Sequence, residues 1–235
     1  MALGVRNLTG PRLPPVRGTA THLVVLAHGY GADGNDLIGL APLWQRLMPT
    51  VAFAAPNAPE PCAGSPSGYQ WFPISRLDPQ AMKSGVESAA SSLNAFLDAE
   101  LSRLNLPPER LALVGFSQGT MMSLQVGLRR SVKPAAIVGF SGMLANSDNL
   151  DSLGRLAPPI LLVHGDADPM IPADYMFAGA GALGAAGAAV QWHLSPRVGH
   201  SIDEHGMALA GTFLAMAFRG LLKRNKDAEI CCSVG

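Results

Sequence analysis

Three residues far apart in the chain have the types and the order needed to cleave an acyl bond by nucleophilic attack. Ser117 lies in Gly115-Phe116-Ser117-Gln118-Gly119, after the apolar run Leu111 to Gly115 and before the helical pattern Thr120 to Arg130. A tight strand-to-helix turn holds such a serine in a strained backbone conformation and projects its hydroxyl above the sheet. Flanking glycines are needed because side chains there would collide with neighbouring elements. The helix N-terminus beneath supplies free N–H groups and partial positive charge, which favour the negative charge that develops during acyl transfer. In a chain with 26 glycines the pattern alone is ordinary turn chemistry, and the strand before it and helix after it are what give it weight.

A nucleophile so placed takes an acid and then a histidine from later strand ends. The strand-like run Pro159 to His164 ends in Gly165-Asp166-Ala167-Asp168-Pro169, and the run Val190 to Leu194 is followed by Pro196-Arg197-Val198-Gly199-His200. His200 is the candidate to take the Ser117 proton and return it to the leaving group, with a carboxylate fixing its tautomer and stabilising its cation. Asp168 is the preferred carboxylate. Asp166 is its rival, more simply read as a turn-capping side chain. His28 and His164 each precede a glycine at a strand end and read as holders of loop backbone. His22 and His193 fall within strand patterns, and His205 lies in the last helix.

The loop His28-Gly29-Tyr30-Gly31-Ala32-Asp33-Gly34-Asn35-Asp36 follows the strand His22 to Ala27 and opens a helix. Hydrolases of this architecture take one oxyanion donor from the residue after the nucleophile and one from this early loop, which assigns the backbone amides of Gln118 and Tyr30. Glycines beside Tyr30 let the main chain approach a substrate. The spacing of Gly29, Gly31 and Gly34 mimics a nucleotide-binding loop only in isolation, and the Gly-Lys-Ser/Thr ending of a phosphate loop is missing. No H-E-x-x-H motif occurs, so neither a metal nor an organic cofactor is expected.

Parallel strands buried on both faces read as continuous apolar runs. Such runs are His22 to Ala27, Val51 to Ala55, Leu111 to Gly115, Ala135 to Phe140, Ile160 to His164 and Val190 to Leu194. Between them Gln80 to Asn105 carries Met82, Val86, Ala89, Leu93, Leu97, Leu101 and Leu104 at helical spacing, stopping before Pro107-Pro108. A further helix is expected after an N-cap at Asn35 or Asp36, ending near Pro49, and others after Ser117, Pro172 and Asp203. The Pro-, Gly- and Ser-rich stretch Ala55 to Pro79 is too long for a connector and suits a site-lining loop. The expected class is α/β: an α/β-hydrolase fold with a mostly parallel central sheet and helices on both faces. One domain over residues 21–224 is expected, after an irregular or edge-strand segment 1–20 and before a flexible tail 225–235.

Composition narrows the partners. With 48% hydrophobic and 14% charged residues, and 17 basic against 17 acidic side chains, no field would collect nucleic acid or an acidic membrane. Three cysteines, two of them adjacent in the tail, suit a reducing compartment. No signal-like or membrane-spanning stretch stands out; the nearest, Ala178 to Val190, is interrupted by glycines. A cytoplasmic protein with a pocket for a small or lipid acyl ester is expected, without stable membrane insertion. The sequence does not decide between monomer and homodimer.

From about Leu23 to Phe213 the chain resembles the phospholipase/carboxylesterase family, which includes acyl-protein thioesterases and small bacterial carboxylesterases. The resemblance lies in His28-Gly29-Tyr30-Gly31-Ala32-Asp33-Gly34, Trp71-Phe72, Gly115 to Gly119, Ser141-Gly142, His164 to Pro169 with Ile171-Pro172, and Gly199-His200. It implies Ser117, Asp168 and His200 as catalytic triad, the amides of Tyr30 and Gln118 as oxyanion donors, and Trp71 beside the acyl pocket. Met170, by the acid loop, is a further candidate for contact with an acyl chain. Pro73 stands where the eukaryotic thioesterases usually carry aspartate, and with Gln70 it looks closer to the bacterial carboxylesterases. The implied activity is hydrolysis of small to medium acyl esters through an acyl-enzyme. Acyl-protein thioesterase or lysophospholipase activity with the same triad is the alternative, and a catalytically silent, ligand-binding hydrolase fold is the alternative of another class.

Overall fold

The structure, a computed structural model, describes residues 4–74, 77–152 and 156–222. The tail expected over 225–235 lies outside the described residues. The strands are β1 (Arg12–Leu13), β2 (His22–Ala27), β3 (Val51–Ala54), β4 (Glu60–Pro61), β5 (Tyr69–Gln70), β6 (Leu111–Phe116), β7 (Ala136–Phe140), β8 (Ile160–Gly165) and β9 (Val190–Ser195). The helices are α1 (Gly34–Ile38), α2 (Ala41–Gln45), α3 (Pro79–Leu104), α4 (Gln118–Arg129), α5 (Asp174–Ala185) and α6 (Glu204–Phe218). Seven strands form one sheet in the order β1-β3-β2-β6-β7-β8-β9, parallel throughout except for antiparallel β1 at the edge. This is the expected α/β architecture, with the N-terminal segment supplying the edge strand.

Side chains alternate across the sheet. Leu23 and Val25 of β2, with Leu111 and Leu113 of β6, face α3 and α4, packing on Met82, Val86, Leu93, Leu97, Met121 and Val126. Val24, Leu26, Ala112 and Val114 face the other way, onto Trp44, Phe213 and Leu214. α5 closes a third cluster through Met176 and Leu183 against Ile137 and Leu162. Helices therefore cover both faces, which is why the central strands are buried almost throughout and mostly apolar. β9 departs from that pattern. At the sheet edge it is only partly covered, and Trp192 is exposed.

α3 starts where the Asp78 carboxylate accepts from the Ala81 N–H, with Pro79 in the first turn, and stops as Asn105 turns left-handed at φ 53°. The helix expected from Asn35 or Asp36 to Pro49 is instead two five-residue helices, α1 and α2, and its cap is Asp33 in a reciprocal capping box with Asp36. Pro42, in the first turn of α2, has no N–H to continue α1, so the chain breaks and restarts there. Among the described residues no helix is long and apolar enough to cross a membrane.

The edge strand is tied down by a buried acid. Glu100 of α3 accepts from Arg12 Nε and Nη2 at 2.9 and 2.7 Å on one oxygen, and from Arg103 Nε and Nη2 at 3.0 and 2.7 Å on the other. Burial opposes ionisation of Glu100, but the two guanidinium groups outweigh it and hold the carboxyl below the usual range. A depressed folded-state pKa gives stability that is present above the unfolded value and is lost as pH falls through the folded one. Glu100→Gln should therefore cost about 1–3 kcal/mol at pH 7, measured by denaturant unfolding, and the deficit should shrink below about pH 4.

Candidate active site

Ser117 sits between β6 and α4 with φ 54° and ψ −117°, a conformation that L-residues avoid. Its N–H donates to Phe140 O at 2.9 Å and its carbonyl accepts from the Thr120 N–H at 2.9 Å. The Thr120 hydroxyl lies 2.8 Å from both Gly115 O and Phe140 O, cross-linking the ends of β6 and β7. The flanking glycines are required by space. A Cβ on Gly119 would stand 1.9 Å from Ala27 O, and one on Gly115 would stand 2.3 Å from the Gly119 backbone. On this tightly packed turn Gln118 opens α4, and its backbone N–H has no acceptor among the described residues.

Asp168 and His200 meet as the chain order suggests. His200 Nδ1 donates to Asp168 Oδ2 at 2.7 Å, while Asp168 Oδ1 accepts from the Met170 and Ile171 N–H groups at 2.9 and 3.0 Å. Burial of Asp168 opposes its charge, yet the Ile171 amide, His200 and the Met170 amide outweigh it and hold the carboxyl below its ordinary range. An ionised carboxylate only accepts, so His200 Nδ1 is the donor, and Nε2 makes no hydrogen bond among the described residues. Phe116 packs its ring 5.0 Å from that of His200. Asp166 accepts from the Arg197 N–H at 2.5 Å, so instead of capping its own turn through nearby amides it links the two loops. Gly165 permits the same contact, since a Cβ there would stand 2.1 Å from Val198 O.

Ser117, His200, Tyr30 and Met170 line one cavity of about 300 Å³, completed by Ile74, Leu77, Met121 and Ile171. Ser117 and His200 share this wall without a direct hydrogen bond among the described residues. Such contacts are often long in ligand-free sites and tighten when substrate arrives. Phe116, Ile74 and Leu77 were not singled out from sequence. The only signal for the last two was the length of the Ala55 to Pro79 loop around them.

The loop after β2 is fixed from behind. The Ala58 N–H donates to His28 Nε2 at 2.9 Å, so the other ring nitrogen carries the proton and donates to Gly29 O at 2.7 Å. Burial lowers the pKa of His28 and keeps it neutral in this role. His164 does similar work, donating from Nε2 to Ile171 O at 2.8 Å. The Gly31 N–H donates to Tyr69 O, leaving the Tyr30 amide without an acceptor among the described residues.

Trp71 is placed differently from the expectation that it flanks an acyl chain. It is fully buried and absent from the cavity wall; its indole donates to His28 O at 2.9 Å and its own N–H donates to Gln118 Oε1 at 2.8 Å. The Gln118 amide nitrogen in turn donates to Phe72 O at 2.7 Å. Trp71 therefore holds together the loop after β2 and the start of α4, whereas Met170 is exposed at the cavity mouth. Trp71→Phe leaves a buried carbonyl unpaired and should lower unfolding free energy by about 1–3 kcal/mol. Met170→Ala should stay within about 0.5 kcal/mol of the parent in the same denaturant titration.

Comparison with known proteins adds a second line of evidence. Residues 12–218 match the family model described as Phospholipase/Carboxylesterase. An acyl-protein thioesterase 1 from Schizosaccharomyces pombe is 34% identical over 68% of this chain and 73% of its own. The Escherichia coli esterase YpfH is 26% identical over 81% of each. Among solved structures, esterase PE8 superposes with a TM-score of 0.85 at 40% identity, covering 92% of this chain and all of its own. Since the matched region contains the sheet and every loop that brings Ser117, Asp168 and His200 to its edge, the chain belongs to the phospholipase/carboxylesterase family of ester-bond hydrolases.

Proposed function

We propose that the protein is a serine carboxylesterase acting on small to medium acyl esters, with Ser117 as nucleophile, His200 as general base and acid, and Asp168 orienting and charge-balancing the imidazole. The observation that carries this reading is the Asp168–His200 bond, which leaves Nε2 free on the wall that Ser117 shares. In the proposed cycle Ser117 Oγ bonds to the acyl carbon while its proton passes to His200 Nε2. The carbonyl electron pair moves onto oxygen, where the amides of Tyr30 and Gln118 receive it. Collapse breaks the bond to the alcohol oxygen, which takes the proton from Nε2 and leaves as free alcohol. Water then repeats the sequence at the acyl-enzyme, releasing the acid and restoring Ser117.

The cavity of about 300 Å³ lies at the lower end of the range for ligand pockets, which supports short and medium acyl groups against Ile74, Leu77, Met121 and Ile171. The same residues serve thioesters equally well, and an acyl-protein thioesterase is among the relatives. A reducing, cytoplasmic setting fits the free, buried thiol of Cys62.

Ser117→Ala and His200→Ala should each lower kcat by at least about 10³-fold, with KM changed much less. Asp168→Asn should cost on the order of 10³–10⁴-fold by favouring the wrong tautomer. Kinetics on p-nitrophenyl esters from acetate to palmitate, beside matching thioesters, measure all three and the chain-length optimum. Near-parental turnover in the serine variant, or no fluorophosphonate labelling of the parent, would leave a ligand-binding fold without this chemistry.

A further inference from the structure

A second cavity, of about 520 Å³, shares Tyr30 and His200 with the first but not Ser117. Its apolar wall comes from Leu37 of α1, Leu40 at the break before α2, Phe116 and Ile202. Gly29 lies between the two spaces: it lines the second, and a Cβ on it would stand 3.3 Å from Ser117 Cβ.

The proposed cycle assigns different occupants to the two cavities. The acyl group becomes covalently attached to Ser117 Oγ, so it must lie in the cavity that Ser117 lines. The leaving group is never bonded to Ser117, but its oxygen must come within reach of the proton on His200 Nε2. A cavity that presents His200 and Tyr30 without the nucleophile has the geometry for that partner alone. Its charge is also one-sided. Asp36 lines it, Asp33 is locked to Asp36 in the capping box, and no lysine or arginine among the described residues contributes to the wall. An anionic leaving group would meet the Asp36 carboxylate with no lysine or arginine beside it to balance the charge.

We infer that this second cavity is the leaving-group site, and that it selects esters of bulky, apolar, uncharged alcohols through Leu37, Leu40 and Ile202 while Asp36 disfavours anionic ones. The inference rests on the ester-hydrolase reading above and adds which half of the substrate each space recognises. The step is the acylation already described, in which the acyl carbon–alkoxy bond breaks and the alcohol departs with the proton from His200. That step is contained in kcat/KM, whereas deacylation is common to all esters of one acid.

The test holds the acyl group at acetate and varies the alcohol. The ratio of kcat/KM for cyclohexylmethyl acetate to that for ethyl acetate should fall roughly tenfold in Leu40→Trp, which fills the cavity, and in Leu40→Ala, which removes the contact. If the tryptophan variant fails to fold, the alanine variant carries the test. Neither should change the ratio of acetyl to hexanoyl esters of one alcohol, whereas Leu77→Trp, in the Ser117 cavity, should change that ratio and leave the alcohol ratio alone. Asp36→Asn, which keeps a capping oxygen, should raise kcat/KM for 4-acetoxybenzoate relative to its methyl ester by a few-fold, and less at high salt. Unchanged alcohol ratios in both Leu40 variants, or a shift in the acyl series instead, would overturn the assignment of the cavity, and no response to Asp36→Asn would overturn its charge selectivity. Absence of hydrolysis of every ester by the parent protein would sink the ester-hydrolase reading itself.

Discussion

The close approach of backbone to backbone at the β6–α4 turn is the constraint on which the rest depends. Ser117 sits at positive φ with its N–H bonded to Phe140 O, to which the Thr120 hydroxyl also bonds. Strain of this kind costs about 1–3 kcal/mol. The helix that follows offsets it, since Met121, Met122, Leu124, Val126 and Leu128 are all buried, each apolar side chain contributing about 1.5–3 kcal/mol. Without the room left by Gly115 and Gly119, α4 would stand off the sheet.

A second unit forms around Asp168. The loops after β8 and β9 are interlocked through the Asp166–Arg197 bond, the Ala167 N–H to Val198 O, and the contact that Gly165 permits. Asp168 and His200 therefore have a common support, independent of the turn that holds Ser117. The two units meet at the cavity, with the ring of Phe116, the neighbour of Ser117, against that of His200. Trp71 and Gln118 form the corresponding brace on the other side, joining the loop after β2 to α4.

Most of this was legible because the chemistry imposes local rules. The strand runs β2, β3, β6, β7 and β8 are continuous and mostly apolar because both faces are covered, and that pattern survives without knowledge of partners. Ser117, Asp168 and His200 follow a fixed order, and the backbone-holding of His28 and His164 follows from their places beside glycines at strand ends. The departures arise from particular bonds and breaks, two local and one tertiary. Asp33 outcompeted Asn35 and Asp36 as cap because a reciprocal bond with Asp36 was available, and Pro42 split the helix expected to run on to Pro49. Trp71 carries no sequence mark that separates an aromatic beside a ligand from one bonded to a buried carbonyl.

The edge position of β9 has a consequence for how the molecule responds to heat. Among the described residues this strand pairs only with β8, much of its surface is open, and its end carries the loop bearing His200, whereas Ser117 hangs from β6 in the middle of the sheet. Peripheral strands open in local fluctuations at free energies well below that of global unfolding. Breathing of this rim would withdraw the imidazole while the serine turn stayed intact. Reversible separation of His200 from Ser117, ahead of any collapse of the fold, is thus built into the order of the strands.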